Sequence, residues 1–117
     1  MMGKPQLKTQ TYSLELAALL SRRTRRQSGV RQGKMFGYPA FYVGGRMIGC
    51  VYANDVGLKL PASRVRELLE QGRLKPFRPY GKPAMREWIA MSSELAATRL
   101  GAALLREAIT FGTETGA

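Results

Sequence analysis

The sequence predicts an α+β fold: a small antiparallel β-sheet packed on one side by helices, in two layers. Apolar residues recur at helical spacing near both ends of the chain and once in its middle, whereas β-rich runs separated by turn residues fill residues 34–60. With 117 residues and 44% hydrophobic content, the chain suits one domain with its own core. We place that domain at residues 12–111, between a flexible N-terminal tail (1–11) and a C-terminal tail (112–117).

A first helix is predicted to begin near Tyr12, with Thr11 or Ser13 as its N-cap. Glu15 then falls in the first turn, where a negative charge is favourable. Three leucines form its buried stripe: Leu16, Leu19 and Leu20. The helical pattern is lost at residues 24–33, which combine serine, glycine and basic residues and are predicted to form a flexible connection.

Residues 34–60 are predicted to form three antiparallel strands in a meander. The first turn is Gly44-Gly45, because two glycines between β-rich runs favour a type I′ hairpin. The second turn is predicted at Asn54-Asp55. One face of this sheet should be apolar and covered by helices.

A second helix is predicted to begin at Pro61, which fits a first helical position, and to end at Gly72. Its inward residues are Val65, Leu68 and Leu69. Four charged residues are expected to face water: Arg64, Arg66, Glu67 and Glu70. Residues 73–83 contain three prolines and are predicted to form a loop of defined shape.

The last part of the chain is predicted to add one strand and one helix. Residues 86–91 alternate enough for a fourth strand, which places Trp88 in the core. Ser92 or Ser93 then caps a helix that runs to Phe111. The apolar stripe of that helix is Ala97, Leu100, Gly101, Leu104, Ala108 and Phe111.

The net charge of +11, from 19 basic and 8 acidic residues, is the most unusual property of the composition. The densest basic cluster contains no acid: Arg22, Arg23, Arg25, Arg26, Arg31 and Lys34. Such a cluster attracts polyanions through counterion release, so it indicates contact with DNA or RNA. A surface of solvated arginines without a ligand is the alternative, and the charge alone does not separate the two.

The predicted loop at residues 73–83 is a second nucleic-acid candidate, because aromatic and basic residues are interleaved in it. Its basic residues are Arg73, Lys75, Arg78 and Lys82. Basic side chains of this kind clamp phosphates, while Phe77 or Tyr80 can contact a base. The alternative is a plain ordered loop pinned by Phe77, a role that we assign to Phe77 while the role of Tyr80 stays open.

Two further residues have competing interpretations. Lys59 alternates with inward-facing leucines. It forms either a basic sheet surface with Arg46 and Arg86 or a charge on an edge strand that discourages aggregation. Phe36 is either a stacking platform for a base or a core aromatic beside a bend at Gly37, and the core is preferred.

The sequence contains no recognisable set of catalytic residues. It has no histidine and a single cysteine, Cys50, which excludes Ser-His-Asp and Cys-His catalysis and the usual zinc sites. The glycines form no phosphate-binding loop. We therefore expect no enzymatic activity, no metal and no cofactor.

The cellular location is predicted from the same composition. A lone Cys50 forms no intramolecular disulfide and is expected to be a small buried hydrophobic residue, as is typical of proteins in a reducing compartment. No apolar run approaches the roughly 20 residues that a membrane span needs. The sequence therefore predicts a cytoplasmic protein without a membrane partner.

Five short motifs occur in series along the chain. They are Met35-Phe36-Gly37, the run from Phe41 to Met47, Leu58-Lys59-Leu60-Pro61, Pro76-Phe77, and the run from Pro83 to Trp88. In order and spacing this series resembles the N-terminal domain of the TfoX/Sxy family of competence regulators, over roughly residues 12–111. That domain is similar in architecture to the MmcQ/YjbR group, often described as DNA-binding-like.

The resemblance implies a regulatory module without catalytic residues. Regulators of the TfoX/Sxy family carry a second, C-terminal helical domain, so we expect this chain to be a stand-alone relative of the N-terminal domain. Two functional hypotheses follow. The first is a nucleic-acid-associated module, and the second is a protein-interaction or self-association module that uses free sheet edges and the apolar C-terminal helix.

Overall fold

The computed structural model describes residues 12–115, and the predicted tail at residues 1–11 lies outside them. The described chain forms four α-helices and six strands. In order these are α1 (Leu14–Arg25), β1 (Val30–Met35), β2 (Tyr38–Val43), β3 (Arg46–Tyr52), β4 (Asp55–Lys59), α2 (Ala62–Gln71), β5 (Lys75–Pro76), β6 (Trp88–Ser92), α3 (Ser93–Ala96) and α4 (Arg99–Thr115). The predicted α+β class is confirmed.

All six strands belong to one antiparallel sheet in the order β1-β2-β3-β4-β6-β5. The first four strands form a meander, and β6 then pairs with β4. Because residues alternate between the faces of a strand, each strand sends one set of side chains to the helices and the other set to the opposite face. We call the face turned away from the helices the open face.

The predicted turns of the meander are found with small changes. Gly44 and Gly45 have φ of 58° and 81°, the left-handed conformation that a type I′ hairpin requires. The second turn lies at Ala53 and Asn54, since β4 already begins at Asp55. The prediction was therefore one residue too late.

Helix α1 begins where the capping pattern predicts. The Ser13 Oγ accepts a hydrogen bond of 3.1 Å from the backbone N–H of Leu16. The helix continues to Arg25, and an unpredicted strand begins at Val30. The expected flexible connection at residues 24–33 was thus wrong, because pairing with β2 over six residues turns this polar segment into an edge strand.

Helix α2 ends at Gly72 as predicted, at a φ of 80°, but it begins at Ala62, because Pro61 is its N-cap and not its first helical residue. One of its outward residues does not simply face water. The Arg64 guanidinium donates two hydrogen bonds to the Glu107 carboxylate, at 2.9 and 3.1 Å, and a third to Glu67 at 2.7 Å. This ion cluster ties α2 to α4.

The predicted last helix is two helices. The Ser92 Oγ caps α3 by accepting from the N–H of Leu95, and the Thr98 Oγ1 accepts from the N–H of Gly101 at the start of α4. A Cβ on Gly101 would overlap the carbonyl oxygen of Leu95, so this tight junction depends on glycine. Ala97, predicted to lie in the apolar stripe, is exposed at the junction.

The C-terminal boundary also differs from the prediction. Helix α4 passes Phe111 and runs to Thr115, so residues 112–115 belong to a helix and not to a tail. Gly112 is buried in that last part of α4, and its Cα lies against the side chain of Ile48. Only residues 116–117 of the predicted tail lie outside the described chain.

The sheet separates two apolar clusters. The larger lies between the sheet and the helices and includes Leu20, Leu58 and Leu104, each at most 1% exposed. The smaller lies on the open face and contains Ala40, Cys50, Phe77, Trp88 and Ala90. The predicted burial of Trp88 and Cys50 is confirmed, but on the side away from the helices. None of the helices within residues 12–115 is long and apolar enough to cross a membrane.

Candidate nucleic-acid interface

The open face is crossed by the segment 73–83, which we call the crossing loop. It includes strand β5, at one edge of the sheet, and then runs back over β4 and β3. Phe77 anchors it: the ring is 3% exposed and lies 5.7 Å from Trp88, centroid to centroid. A Cβ on Gly57 of β4 would lie 2.8 Å from the Phe77 Cζ, so the ring fills the space left by this glycine. The predicted pinning role of Phe77 is confirmed.

Beyond Phe77 the aromatic residues continue toward the turn between β1 and β2. Four rings, Phe36, Tyr38, Tyr52 and Tyr80, form what we call the aromatic ledge. Tyr52 lies 4.8 Å from Tyr38 and 5.3 Å from Tyr80, and Tyr80 lies 6.2 Å from Phe36. The Tyr80 backbone N–H also donates a 2.8 Å hydrogen bond to the Tyr52 Oη. The crossing loop is therefore held on the sheet at two points, by Phe77 and by Tyr80.

Phe36 is not a core residue: 83% of its surface is exposed, and the preferred core interpretation was wrong. It occupies, with Gly37, a two-residue turn between β1 and β2 in which both residues have positive φ, 50° and 85°. Its neighbour Met35 is the residue that packs on the open-face cluster, opposite Tyr38. The turn consequently projects the Phe36 ring into solvent.

Tyr80, whose role the sequence left open, is 45% exposed and has a φ of 60°. It lies in a single 3₁₀ turn, Pro79–Gly81, at the far end of the crossing loop. The pKa of its hydroxyl is raised, first by partial desolvation and then by Tyr38 and Tyr52. The Tyr80 hydroxyl therefore remains uncharged at neutral pH.

The sheet and crossing loop together, residues 28–60 and 73–92, hold nine basic residues and two acids, a net charge of +7. Both acids are already in ion pairs, Asp55 with Lys75 at 3.0 Å and Glu87 with Lys59 at 4.0 Å. Within residues 12–115 the other seven basic residues of this region form no ion pair: Arg31, Lys34, Arg46, Arg73, Arg78, Lys82 and Arg86. The region therefore has a clear excess of unpaired positive charge.

Several predicted site residues lie beside the ledge. Arg31 is exposed on β1 in register with Tyr42, whose side chain turns to the open face. Lys34 lies on the other face of β1, the face of Gln32, which bonds Ser21 of α1. Arg78 and Lys82 are exposed and flank Tyr80 at two residues on either side. Basic residues thus flank the ledge at Tyr80 and lie near it on the open face of β1.

Lys59 lies on the open face, as the alternation predicts. It is in register with Trp88 and partly buried. The edge-strand interpretation was wrong, since β4 lies inside the sheet between β3 and β6. Its ion pair with Glu87 leaves it less free for a ligand than Arg31 or Lys82.

The arginine cluster of α1 lies elsewhere. Helix α1 packs on the helix side of the sheet through Leu16 and Leu20, so its last turn is separated from the crossing loop by the sheet. Arg22, Arg25 and Arg26 are exposed there. The predicted basic residues therefore form two groups on opposite sides of the sheet and not one surface.

Arg23 differs from its neighbours because its guanidinium donates hydrogen bonds within the protein. It donates to the carbonyl oxygen of Ala96 and, at 3.3 Å, to that of Ala97, where α3 ends. Its pKa is lowered, first by desolvation and then by the positive charges of Arg22 and Arg106. Arg23 thus joins α1 to α3 and is a poor candidate for phosphate contact.

The structure adds two chemical observations. Within residues 12–115 no cluster of three or more histidine, cysteine, aspartate or glutamate side chains is arranged to hold a metal ion. Burial raises the pKa of the Cys50 thiol to about 12, so at neutral pH it is protonated and a weak nucleophile.

Comparison with known proteins adds no relative: no family model, curated protein or solved structure matches this chain. The resemblance to the TfoX/Sxy family therefore stays a prediction from the five motifs. The candidate interface is inferred from the structure of this chain and from no relative.

Sequence reasoning missed the aromatic ledge as a unit. In the sequence, β4, α2 and β5 lie between Tyr52 and Tyr80, and Tyr38 lies further away still, so no local pattern joins the three residues. One local signal was present: Phe36-Gly37 is a two-residue link between two runs that pair in register, a hairpin pattern like that of Gly44-Gly45. Reading it as a turn would have placed Phe36 in solvent.

Proposed function

We propose that this chain is a non-enzymatic nucleic-acid-binding module of the cytoplasm, and that its interface is the open face with the crossing loop. The observation that carries the proposal is the composition of that surface. It combines exposed aromatic rings with unpaired basic side chains, and its two acids are already neutralised by lysines. The resemblance to the N-terminal domain of TfoX/Sxy regulators supports the same class of function.

The physical basis of binding is electrostatic. Each basic side chain that neutralises a phosphate releases condensed counterions, so affinity falls as salt rises, with a slope of about −0.9 per contact on duplex DNA. These contacts position the ligand and carry no sequence information by themselves. We therefore expect binding that tolerates many sequences.

The test is fluorescence anisotropy of a labelled DNA duplex titrated at about 50 and about 200 mM salt. The triple variant Arg31→Gln/Arg78→Gln/Lys82→Gln removes three charges from the open face. It should weaken binding about tenfold or more and reduce the salt slope by about 3, one for each lost phosphate contact.

The matched control removes the same charge from the helix side, with Arg22→Gln, Arg25→Gln and Arg26→Gln. Its affinity should fall by only about two- to threefold, since these residues contribute to the long-range field but not to contacts. Equal losses in both triple variants would show a diffuse electrostatic attraction without an interface on the open face. Absence of binding at low salt would reject the proposal.

One observation favours the alternative, a protein-interaction or self-association module. An apolar cleft of about 280 Å³ lies between α2 and the segment before β6, with Val65, Leu69 and Trp88 in its lining. Met85, 47% exposed, lies at its rim. Light scattering over a range of protein concentrations tests self-association through this cleft: a dimer that Met85→Glu dissociates would support it, and a strict monomer would oppose it.

A further inference from the structure

We propose that the aromatic ledge makes this protein a reader of single-stranded nucleic acid, with Phe36 and Tyr80 as the platforms on which unpaired bases stack. This inference rests on the proposed function and deepens it. Electrostatic attraction acts on the phosphates of single strands and duplexes alike and does not by itself select the single strand. The inference adds a class of ligand and names the two residues that select it.

The backbone is strained at both positions. Phe36 and Tyr80 have φ of 50° and 60°, a left-handed conformation that L-amino acids with large side chains adopt only at an energetic cost. Glycine or asparagine would suit both turns better. Burial does not offset this cost, since Phe36 is 83% exposed and Tyr80 is 45% exposed. Strained, exposed aromatic residues at two separate turns that meet in space indicate a binding role.

The rings of the ledge are in contact with one another before any ligand arrives. The backbone N–H of Tyr80 is bonded to the Tyr52 Oη at 2.8 Å, and the Tyr80 ring lies edge-to-face on Tyr52 and on Tyr38. The planes of Phe36 and Tyr80 are inclined by 82° at a centroid distance of 6.2 Å. An arrangement fixed in this way loses little conformational entropy when a base stacks on it.

Basic side chains lie near both exposed rings. Arg78 and Lys82 lie two residues on either side of Tyr80, and Arg31 is exposed on the open face of β1, the strand that leads to Phe36. Single-strand-binding surfaces combine basic side chains that follow the backbone with aromatic side chains on which successive bases stack. The ledge has both components: Arg78 and Lys82 at the turn of Tyr80, and Arg31 on the strand that leads to the turn of Phe36.

A duplex cannot use the rings in the same way. Its bases are stacked on each other and present only their edges in the grooves, so the flat faces that would cover Phe36 or Tyr80 are not accessible. Basic residues contact phosphates in either ligand. Loss of the rings should therefore lower affinity for single strands and leave affinity for duplexes unchanged.

The experiment compares three labelled probes by anisotropy at one salt concentration: an oligo-dT strand, an oligo-U strand and a DNA duplex of the same length. The double variant Phe36→Leu/Tyr80→Leu keeps apolar side chains at both turns and removes the rings. We expect about a tenfold or greater loss of affinity for the single strands and no more than a twofold change for the duplex. The ratio of the dT and U affinities shows whether the 2′-hydroxyl contributes.

Two control variants show that the effect comes from the rings. Tyr80→Phe keeps the ring without its hydroxyl and should bind single strands as the unmodified protein does. Leu14→Ala removes another exposed apolar side chain, 61% exposed on α1, and should also leave binding unchanged. Circular dichroism of each variant confirms that the fold is retained.

Photo-crosslinking gives an independent readout. A strand carrying 5-iodouracil, irradiated with the unmodified protein, should attach to the peptides that contain Phe36 and Tyr80. Crosslinks confined to the last turn of α1 would overturn the proposal.

The outcomes also separate the two proposals. Equal loss of single-strand and duplex affinity in the double variant, or no loss of either, would overturn the stacking role while leaving the basic interface in place. No binding of any probe by the unmodified protein would reject both. A double variant that changes from dimer to monomer in sedimentation, without a change in single-strand affinity, would show that the ledge is a self-association surface.

Discussion

Gly57 and Phe77 show how one missing side chain positions the crossing loop. A Cβ at Gly57 would come within 2.8–2.9 Å of three atoms of the Phe77 ring. The ring has no free space to move into, because it is 3% exposed and packs against Trp88 and Tyr52. The position of the loop on the sheet therefore depends on glycine at residue 57.

We predict that Gly57→Ala lowers the free energy of unfolding by about 1–3 kcal/mol, the usual cost of inserting a methyl group into a packed site. Urea denaturation measures this loss. Gly33→Ala is a suitable comparison, since its Cβ would approach only the edge of the partly buried Tyr42 ring, at 3.3 Å. A loss at Gly57 no greater than that at Gly33 would mean that Phe77 does not fix the loop.

A second residue-scale prediction concerns Cys50 and alkaline pH. Burial raises the pKa of its thiol from 9.0 to about 12 in the folded protein. Between these values the folded state holds a proton that the unfolded chain has lost, so the thiol stabilises the fold fully below pH 9 and progressively less above it.

The free energy of unfolding should therefore fall more steeply with pH above about 9 in the unmodified protein than in Cys50→Ala, which has no thiol. Urea midpoints measured at several pH values give both slopes, and lysines and tyrosines contribute equally to the two proteins. Parallel slopes would contradict the raised pKa. The folded thiol should also resist alkylation near pH 8 until the chain is unfolded.

At the scale of elements, two adjacent arginines at the end of α1 differ in role: Arg23 bonds another helix, and Arg22 is exposed. Arg23 bonds the carbonyl oxygens of Ala96 and Ala97 and so connects two helices that are far apart in sequence. Arg22 is exposed and makes no such bond in the described chain. Sequence order gives no means of telling these two adjacent residues apart.

We predict that Arg23→Gln lowers the free energy of unfolding by about 1 kcal/mol, because two carbonyl groups lose a charged donor in a partly exposed site. Arg22→Gln should change it by less than about 0.5 kcal/mol, as is usual for exposed substitutions. Thermal or urea unfolding of the two variants checks this, and the pair is matched in charge. Similar stabilities would contradict the structural role of Arg23.

For the whole molecule, the two edges of the sheet bear on whether copies associate. Edge strand β5 has two residues, one of them Pro76. Edge strand β1 is longer, with six residues, but carries exposed Arg31 and Lys34. Short length, proline and charge are the features by which natural edge strands avoid pairing with other sheets.

We therefore predict a monomer in sedimentation velocity, and we predict that Arg31→Val/Lys34→Val promotes association by removing both charges from the β1 edge. The control Arg22→Ala/Arg25→Ala removes the same charge from the helix side and should remain monomeric. If both variants associate, the net charge of the whole protein prevents association, and the two charges on the β1 edge have no specific role in it.

Much of the fold follows from local physics that the sequence expresses directly. The turn at Gly44-Gly45, the cap at Ser13 and the stop at Gly72 were predicted because each depends on a residue's own backbone freedom or side-chain oxygen. The buried stripes were likewise predicted from spacing. The break between α3 and α4 was missed, because it depends on a close approach of Gly101 to the backbone of α3.

Strand β1 was missed for a different reason. Its sequence, Val30–Met35, has two basic residues, a glutamine and a glycine, and lacks apolar alternation because it lies at an edge of the sheet. Only its pairing with β2 makes it a strand. The same pairing turns Phe36-Gly37 into a hairpin tip and so converts an expected core residue into an exposed one.

By itself the sequence determined the α+β class, the turn at Gly44-Gly45, the end of α2 at Gly72, the burial of Trp88 and the excess of positive charge. Only the tertiary structure decided the order of the strands, the separation of the basic residues onto two sides of the sheet, and the meeting of Phe36 with Tyr80. The reason is physical. Boundaries and burial depend on spacing over a few residues, whereas a surface assembled from two turns more than forty residues apart depends on how the whole sheet brings them together.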